Sequence, residues 1–243
     1  MLTASPELKR LFNALLCLAL FVSLLASAFT QSSEPYSSVQ PKPAPNSEKD
    51  IQDLLSQIQS RLIKSNIIDG SFSQERKLAG FSYSLKSQGS FIFWEKNGFY
   101  WEITQPFYRA TTFRKDRTII WSSPDEIAHE SKPSIIQKHI NKILVALLSG
   151  KISHLEKQFS IEESQVQDDN WSLTLHPKQS AIEKQIQSIS LTGNTHIKNL
   201  SVIGKGNDST EISFTSPNAN EHASSEQCNK FYPNNNAHCN LKR

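Results

Sequence analysis

The chain has 243 residues, 37% hydrophobic and 20% charged, with a formal net charge of +3 at pH 7. That length supports a folded domain with a sizeable core. The charge excess is too slight for a nucleic-acid binder, which needs a basic stripe; the nearest candidate, RKDR at 114–117, is broken by Asp116.

Residues 1–28 come first because a targeting segment is not fold. Lys9 and Arg10 precede an apolar run from Leu11, which closes on Ala26-Ser27-Ala28. The pattern predicts a secretory signal peptide cleaved after Ala28, and hence a periplasmic protein. About 18 apolar residues would also serve as an uncleaved anchor; the Ala-x-Ala site favours cleavage. Leu16 is too large to precede a lipidated cysteine, so Cys17 is not read as a lipoprotein signal. Residues 29–47 are rich in Ser and Pro and poor in large apolar side chains, the composition of a linker that cannot offset its ordering entropy.

The domain is expected to run from 48 to 216. Its first element is an amphipathic helix at 48–64, with Ile51, Leu54, Leu55, Ile58 and Leu62 at helical spacing on one face. A strand at 67–74 follows, and then the segment FIFWEKNGFYW at 91–101, with six aromatic side chains in eleven positions. A three-residue loop, Lys96 to Gly98 with Gly98 at positive φ, aligns Phe91, Phe93, Phe99, Trp101 and Ile103 on one face. Ile92, Trp94, Tyr100, Glu102 and Thr104 take the other, so neither face is polar. Either the rings are core packing, or they wall a hollow for an apolar ligand.

Strands are predicted at 110–113 and 118–121. The period then changes: Ile135, Ile136, His139, Ile140, Ile143, Leu144, Leu147 and Leu148 form a wide apolar stripe on a helix at 133–149, stopped by Gly150. A helical turn is expected near 154–157. Strands resume at 159–163, 171–175, 186–192, 197–203 and 211–214. The fold class is α+β, mainly β: an incomplete antiparallel barrel, or curved sheet, of eight or nine strands covered by amphipathic helices forming a lid.

Residues 217–243 form a polar tail. Cys228 and Cys239 are the two cysteines left after signal removal, and in an oxidising compartment they pair. A metal site built from His222, Cys228, His238 and Cys239 fits no familiar ligand spacing, so neither metal nor cofactor is expected.

Catalytic signatures are missing: the sequence holds no G-x-S-x-G elbow, H-E-x-x-H helix or phosphate-cradling glycine loop. His139 reads as part of a packed helical face. Glu162 and Glu163 point to opposite sides of a strand. Glu102 is the one carboxylate among aromatics and is expected on an exposed sheet position. The chain is not read as an enzyme.

Several pieces, in order, resemble the LolA-like outer-membrane lipoprotein carrier proteins. They are Gly70-Ser71-Phe72-Ser73-Gln74, Leu85 to Phe91, Gly98 to Trp101 with Pro106, Leu147 to Gly150, Phe159, Trp171 to Pro177, Ile189 to Gly193, and Asp208 to Phe214. The resemblance spans about 48 to 215. It implies a barrel with a helical lid whose hollow shelters lipoprotein acyl chains across the periplasm. An inner-membrane ABC-type extractor would supply the cargo, and an outer-membrane acceptor would receive it. By the same resemblance, Phe72, Phe91, Phe93, Phe99, Trp101, Ile103, Leu144 and Leu148 would contact acyl chains, and the carrier would be a monomer. Lys96 stands near the position of an arginine that ties lid to sheet in the best-known carriers. The closing Gly206-Asn207-Asp208-Ser209-Thr210 carries one residue more than the Gly-Asp-x-Thr of the subgroup. The alternative is a periplasmic binding protein for another lipid or an acylated intermediate.

Overall fold

A computed structural model describes residues 48–124, 128–132, 145–146, 156, 158–233 and 239. The signal peptide, its cleavage site, the 29–47 linker, and most of the helix predicted at 133–149 and of the turn near 154–157 lie outside the described residues. The described chain is one open antiparallel sheet of eleven strands with three helices. Helix α1 spans Glu48–Arg61. The strands are β1 (Ile67–Lys77), β2 (Leu85–Trp94), β3 (Gly98–Gln105), β4 (Arg109–Phe113), β5 (Thr118–Trp121), β6 (His129–Ser131), β7 (Phe159–Gln167), β8 (Asn170–Pro177), β9 (Ile186–Gly193), β10 (Ile197–Gly204) and β11 (Ser209–Asn220). Helix α2 is one turn at Ser180–Glu183, and α3 spans Ser225–Phe231.

Two meanders, β1–β6 and β7–β11, meet where β1 pairs with β11, in the order β6-β5-β4-β3-β2-β1-β11-β10-β9-β8-β7. The edges β6 and β7 do not pair with each other, so the barrel is incomplete. Along β8, burial alternates residue by residue with Trp171, Leu173 and Leu175 inward, because side chains on a strand point to opposite faces in turn.

Three sequence readings are refined. The strand count is eleven, because β6 is only three residues long and carries no apolar alternation. Helix α1 stops at Arg61 rather than 64, because the Ile63 amide bonds the Thr195 carbonyl at 2.8 Å instead of extending the helix. The hairpin turn is Glu95–Asn97 rather than Lys96–Gly98, with Phe91 opposite Trp101 and Phe93 opposite Phe99. Moving that loop by one position shifts the pairing by two residues, which leaves each side chain on its expected face. Gly98, at φ +117°, sits where a Cβ would lie 2.0 Å from the Phe113 carbonyl oxygen. Gly89 faces a similar demand, 1.7 Å from the Glu102 oxygen, so the crossing of β2 and β3 needs a residue without a side chain.

The chain beyond 216 is not an appendage. Strand β11 runs through that position to Asn220, and α3 packs against the sheet, capped by a reciprocal Ser224–Gln227 box. Its apolar residues, Cys228 and Phe231, recur at helical spacing, which is what the polar average of the tail conceals.

Candidate functional site

The hairpin divides the molecule into an inner and an outer face. On the inner face, Phe72, Phe91, Phe93, Phe99 and Trp101 are all at most 2% exposed, and Ile103 packs half-buried beside them. Phe72 stacks on Trp101 with ring centroids 3.5 Å apart, and Phe214 meets Phe91 edge-on at 5.2 Å. Leu55 and Ile58 of α1, and Leu62 just past its end, belong to the same core cluster as these rings and as Leu173, Leu175 and Leu191 of the other meander. Six of the eight sequence-predicted acyl-contact residues thus share one face and one core cluster with α1. Leu144 and Leu148 lie outside the described residues; Val145 and Ala146 between them are helical, and Ala146 is buried in the same cluster. Phe113 and Phe214 also face inward. Sequence reading missed them as site residues, although alternation along Thr210, Ile212 and Phe214 carried the signal.

Helix α1 is fastened by polar contacts at the periphery. The Gln52 side-chain amide donates to the Glu156 carboxylate. The Arg61 guanidinium donates to the Asp168 carbonyl in the β7–β8 turn, and Ile63 holds Thr195. At the C-terminal end of α1 an apolar cleft, bordered by Ile63, Ile68, Phe91, His196 and Phe214, encloses about 20 Å³, room for about one water. Burial, with Lys198 adding to it, holds the His196 imidazole below its usual pKa, so it is neutral at neutral pH.

The outer face is closed differently. Ile67, Ile92, Trp94, Tyr100 and Ala110 form a second cluster with Cys228, Phe231 and Cys239 of the tail. Cys228 and Cys239 are joined in a disulfide. Trp94 meets Phe231 edge-on at 5.4 Å and Tyr232 at 6.3 Å, favourable geometries for aromatic pairs. Arg114 lies 4.2 Å over the Tyr232 ring and donates to the Phe231 carbonyl at 3.0 Å. Thr112 donates to the Lys230 carbonyl at 2.6 Å. Burial, reinforced by Glu102, drives the Tyr100 phenol far above its usual pKa. Glu102 itself is half-buried rather than exposed: it accepts a hydrogen bond from Ser90 at 2.8 Å and lies beside the Tyr100 and Tyr108 phenols. Lys96 is exposed on the hairpin turn. The flanking Asn97 accepts from the Tyr232 hydroxyl, and the Glu95 amide donates to the Asn66 carbonyl at 2.9 Å.

The family model for the outer membrane lipoprotein carrier protein LolA matches residues 64–229, well over half of the chain. The chain belongs to the LolA family. Members of that family are carrier or binding proteins rather than enzymes, and are periplasmic. The match reaches residue 229, so it takes in β11 and part of α3. No curated protein matches this LolA-family chain. Among solved structures, a LolA superfamily protein from Nitrosomonas europaea is 9% identical with a TM-score of 0.39, over 71% of this chain and 94% of its own. A DUF1329 family protein from Desulfovibrio piger is 9% identical with a TM-score of 0.42, over 73% and 95%. The MucA/MucB complex of Pseudomonas aeruginosa gives 11% identity and a TM-score of 0.40, over 73% and 60%. At that distance these structures add nothing to the family assignment. Among the described residues no helix is long and apolar enough to cross a membrane, and no group of three or more His, Cys, Asp or Glu side chains could hold a metal ion.

Proposed function

We propose that this LolA-family chain is a periplasmic carrier that binds lipoprotein acyl chains against the inner face and moves them from inner to outer membrane. In this reading it is exported with cleavage after Ala28 and works as a monomer. It takes cargo from an ATP-driven extractor and yields it to an outer-membrane acceptor. Phe72, Phe91, Phe93, Phe99, Trp101 and Ile103 form the acyl-contact surface, with Leu144 and Leu148 beside them, and Lys96 is the lid contact.

The observation that carries the reading is the unequal cover of the two hairpin faces. The outer face lies beneath a helix cross-linked by Cys228–Cys239. The inner face shares its core with α1, which carries no cross-link and is fastened by polar contacts at Gln52, at Arg61 and at Ile63 just past its end. In this reading α1 lifts and the acyl chain replaces its Leu55 and Ile58 contacts, since the described cleft at its C-terminal end, about 20 Å³, is too small to hold one. Each buried CH₂ contributes about 0.8 kcal/mol, and an exchange of one apolar cover for another returns much of that on release. Such an exchange keeps affinity low enough for handover.

The test uses soluble exported protein. Mass spectrometry of what leaves with it should find acylated protein, and a fluorescent fatty-acyl probe should bind. Trp101→Leu keeps the face apolar but removes the ring stacked on Phe72; it should retain a cooperative melt while probe uptake falls several-fold. Wild-type protein that takes up no probe, or a Trp101→Leu variant that binds it as well as wild type, would refute the reading. Recovery of a small lipid in place of acylated protein would keep the site and change the cargo.

A further inference from the structure

One end of the sheet carries an exposed apolar rim that the inner-face site does not use. Phe81 is 64% exposed, Tyr83 73%, Leu85 53% and Phe107 82%. The topology brings all four together. Phe81 and Tyr83 lie in the loop from β1 to β2, and Leu85 opens β2 opposite Arg76 near the end of β1. Phe107 lies in the loop from β3 to β4, just beyond the point where Gln88 pairs with Gln105. The other exposed large hydrophobic residue among those described is Ile63, bonded to Thr195 at the opposite end.

The rim is held from below. Asp208, in the β10–β11 turn, accepts the Ala79 amide at 2.9 Å and pairs with Arg76 at 3.4 Å. Glu75 is held below its usual pKa by a hydrogen bond from Ser84, with Lys86 and Lys77 adding to it. The loop is therefore tied at Ala79 and at Ser84, and presents Phe81 and Tyr83 between the ties. Arg76 and Asp208 offset each other. Lys77, Lys86, Lys205 and the half-buried Arg109 then outnumber Glu75 and Glu211, its partner across the β1–β11 pair, so the rim is basic as well as aromatic.

The geometry points to this rim as a docking surface for a phospholipid bilayer. Rings that stand 64–82% clear of the surface on separate loops match no fixed shape, which suits a fluid interface better than a protein pocket. Aromatic residues flanked by lysine are the side chains that settle at the headgroup level of a membrane, where ring and ammonium each find their preferred depth. Two further placements agree. The chain enters the fold at this end, because Gln52 near the start of α1 reaches Glu156, just ahead of β7. Leu85 also shares its strand face with Phe91 and Phe93, so the rim is the lip of the inner face. The inference rests on the carrier reading and deepens it: docked on the bilayer, the lip of the inner face would stand where the extractor or acceptor presents the acyl chains.

The experiment uses the processed chain beginning at Phe29. It is floated with vesicles of phosphatidylethanolamine and phosphatidylglycerol, and separately with phosphatidylcholine alone. Wild type should float with the anionic vesicles, and less with phosphatidylcholine. The combined variant Phe81→Ser, Tyr83→Ser, Phe107→Ser should lose about tenfold or more in partitioning, since each ring withdrawn from the interface forfeits its burial. Its melting temperature should stay near that of wild type, because these side chains have few neighbours to lose. Uptake of a monomeric acyl probe should be unchanged, so failure of docking and failure of the inner-face site read out separately. The inference is overturned if wild type ignores both vesicles, or if the variant floats as well as wild type. It is also overturned if the variant instead breaks a concentration-dependent dimer, which would assign the rim to a second copy.

Discussion

Phe93 and Trp94 are chain neighbours at 0% and 8% exposure, yet their surroundings differ in kind. Phe93 lies in the core cluster that includes α1, a helix stitched to the β7 side by Gln52 and Arg61, with Ile63 just past its end bonded to the β9–β10 turn. Trp94 faces α3, a helix with its own capping box, a disulfide and a set of bonds from Thr112 and Arg114. Burial alone does not distinguish a core from a reusable surface. What differs is how costly the cover is to remove, and that depends on polar ties and cross-links rather than on the rings beneath.

The sharpest way to break this comparison is Phe231→Ala. Phe231 is fully buried against Trp94, so the loss should be about 3–5 kcal/mol by urea titration, with acyl-probe uptake by the remaining folded protein intact. An equal loss of uptake would show that the two faces are not independent. Next in size is removal of the cross-link. Cys228→Ser with Cys239→Ser opens a loop with a sequence separation of 11 and should cost about 3 kcal/mol, again without a change in probe affinity. On the inner side, Arg61→Ala frees one tie of α1. It should cost about 1 kcal/mol or less, as exposed hydrogen bonds do, while stopped-flow measurements should show faster probe uptake. The smallest effect is electrostatic. His196 has a folded pKa below its unfolded value of about 6.5, so its contribution to stability is present above that value and lost as pH falls through it toward the folded pKa. His196→Gln should flatten the stability profile between about pH 7 and pH 5, and an unchanged slope would remove the histidine from the account.

Much of this was legible in the chain because period-2 and period-3.6 patterns report which side chain goes inward. Phe91, Phe93, Phe99 and Trp101 fell on one face by alternation alone, and α1 by its Leu55, Ile58, Leu62 spacing. What the rings on the second face were for was not legible. Ile92, Trp94 and Tyr100 were as apolar as their neighbours, and the element that covers them starts more than a hundred residues later in a segment of mostly polar composition. Ser224 and Gln227 offered a cap, and Cys228 with Phe231 an apolar pair, but two buried side chains do not raise a helical period above background. The shelter of Glu102 escaped too, since it depends on Ser90, Tyr100 and Tyr108 closing around the carboxylate. What lies over the inner face was likewise out of reach: sequence marks an apolar face without saying whether helix or ligand occupies it.

The pairing of β1 with β11 bears on the order of events after synthesis. The first and last strands of the sheet lie side by side at its middle, so the two meanders can each assemble from near neighbours, but their junction waits for the final strand. A chain threaded across a membrane from its N-terminus would present the aromatic hairpin well before β11 and α3 arrive to complete the sheet and cover the outer rings. Long-range pairing of this sort is slow relative to local hairpins. During that interval the same rings that later face α1 and α3 are open to any apolar surface, which makes the last quarter of the chain the timer for when this protein becomes safe to release.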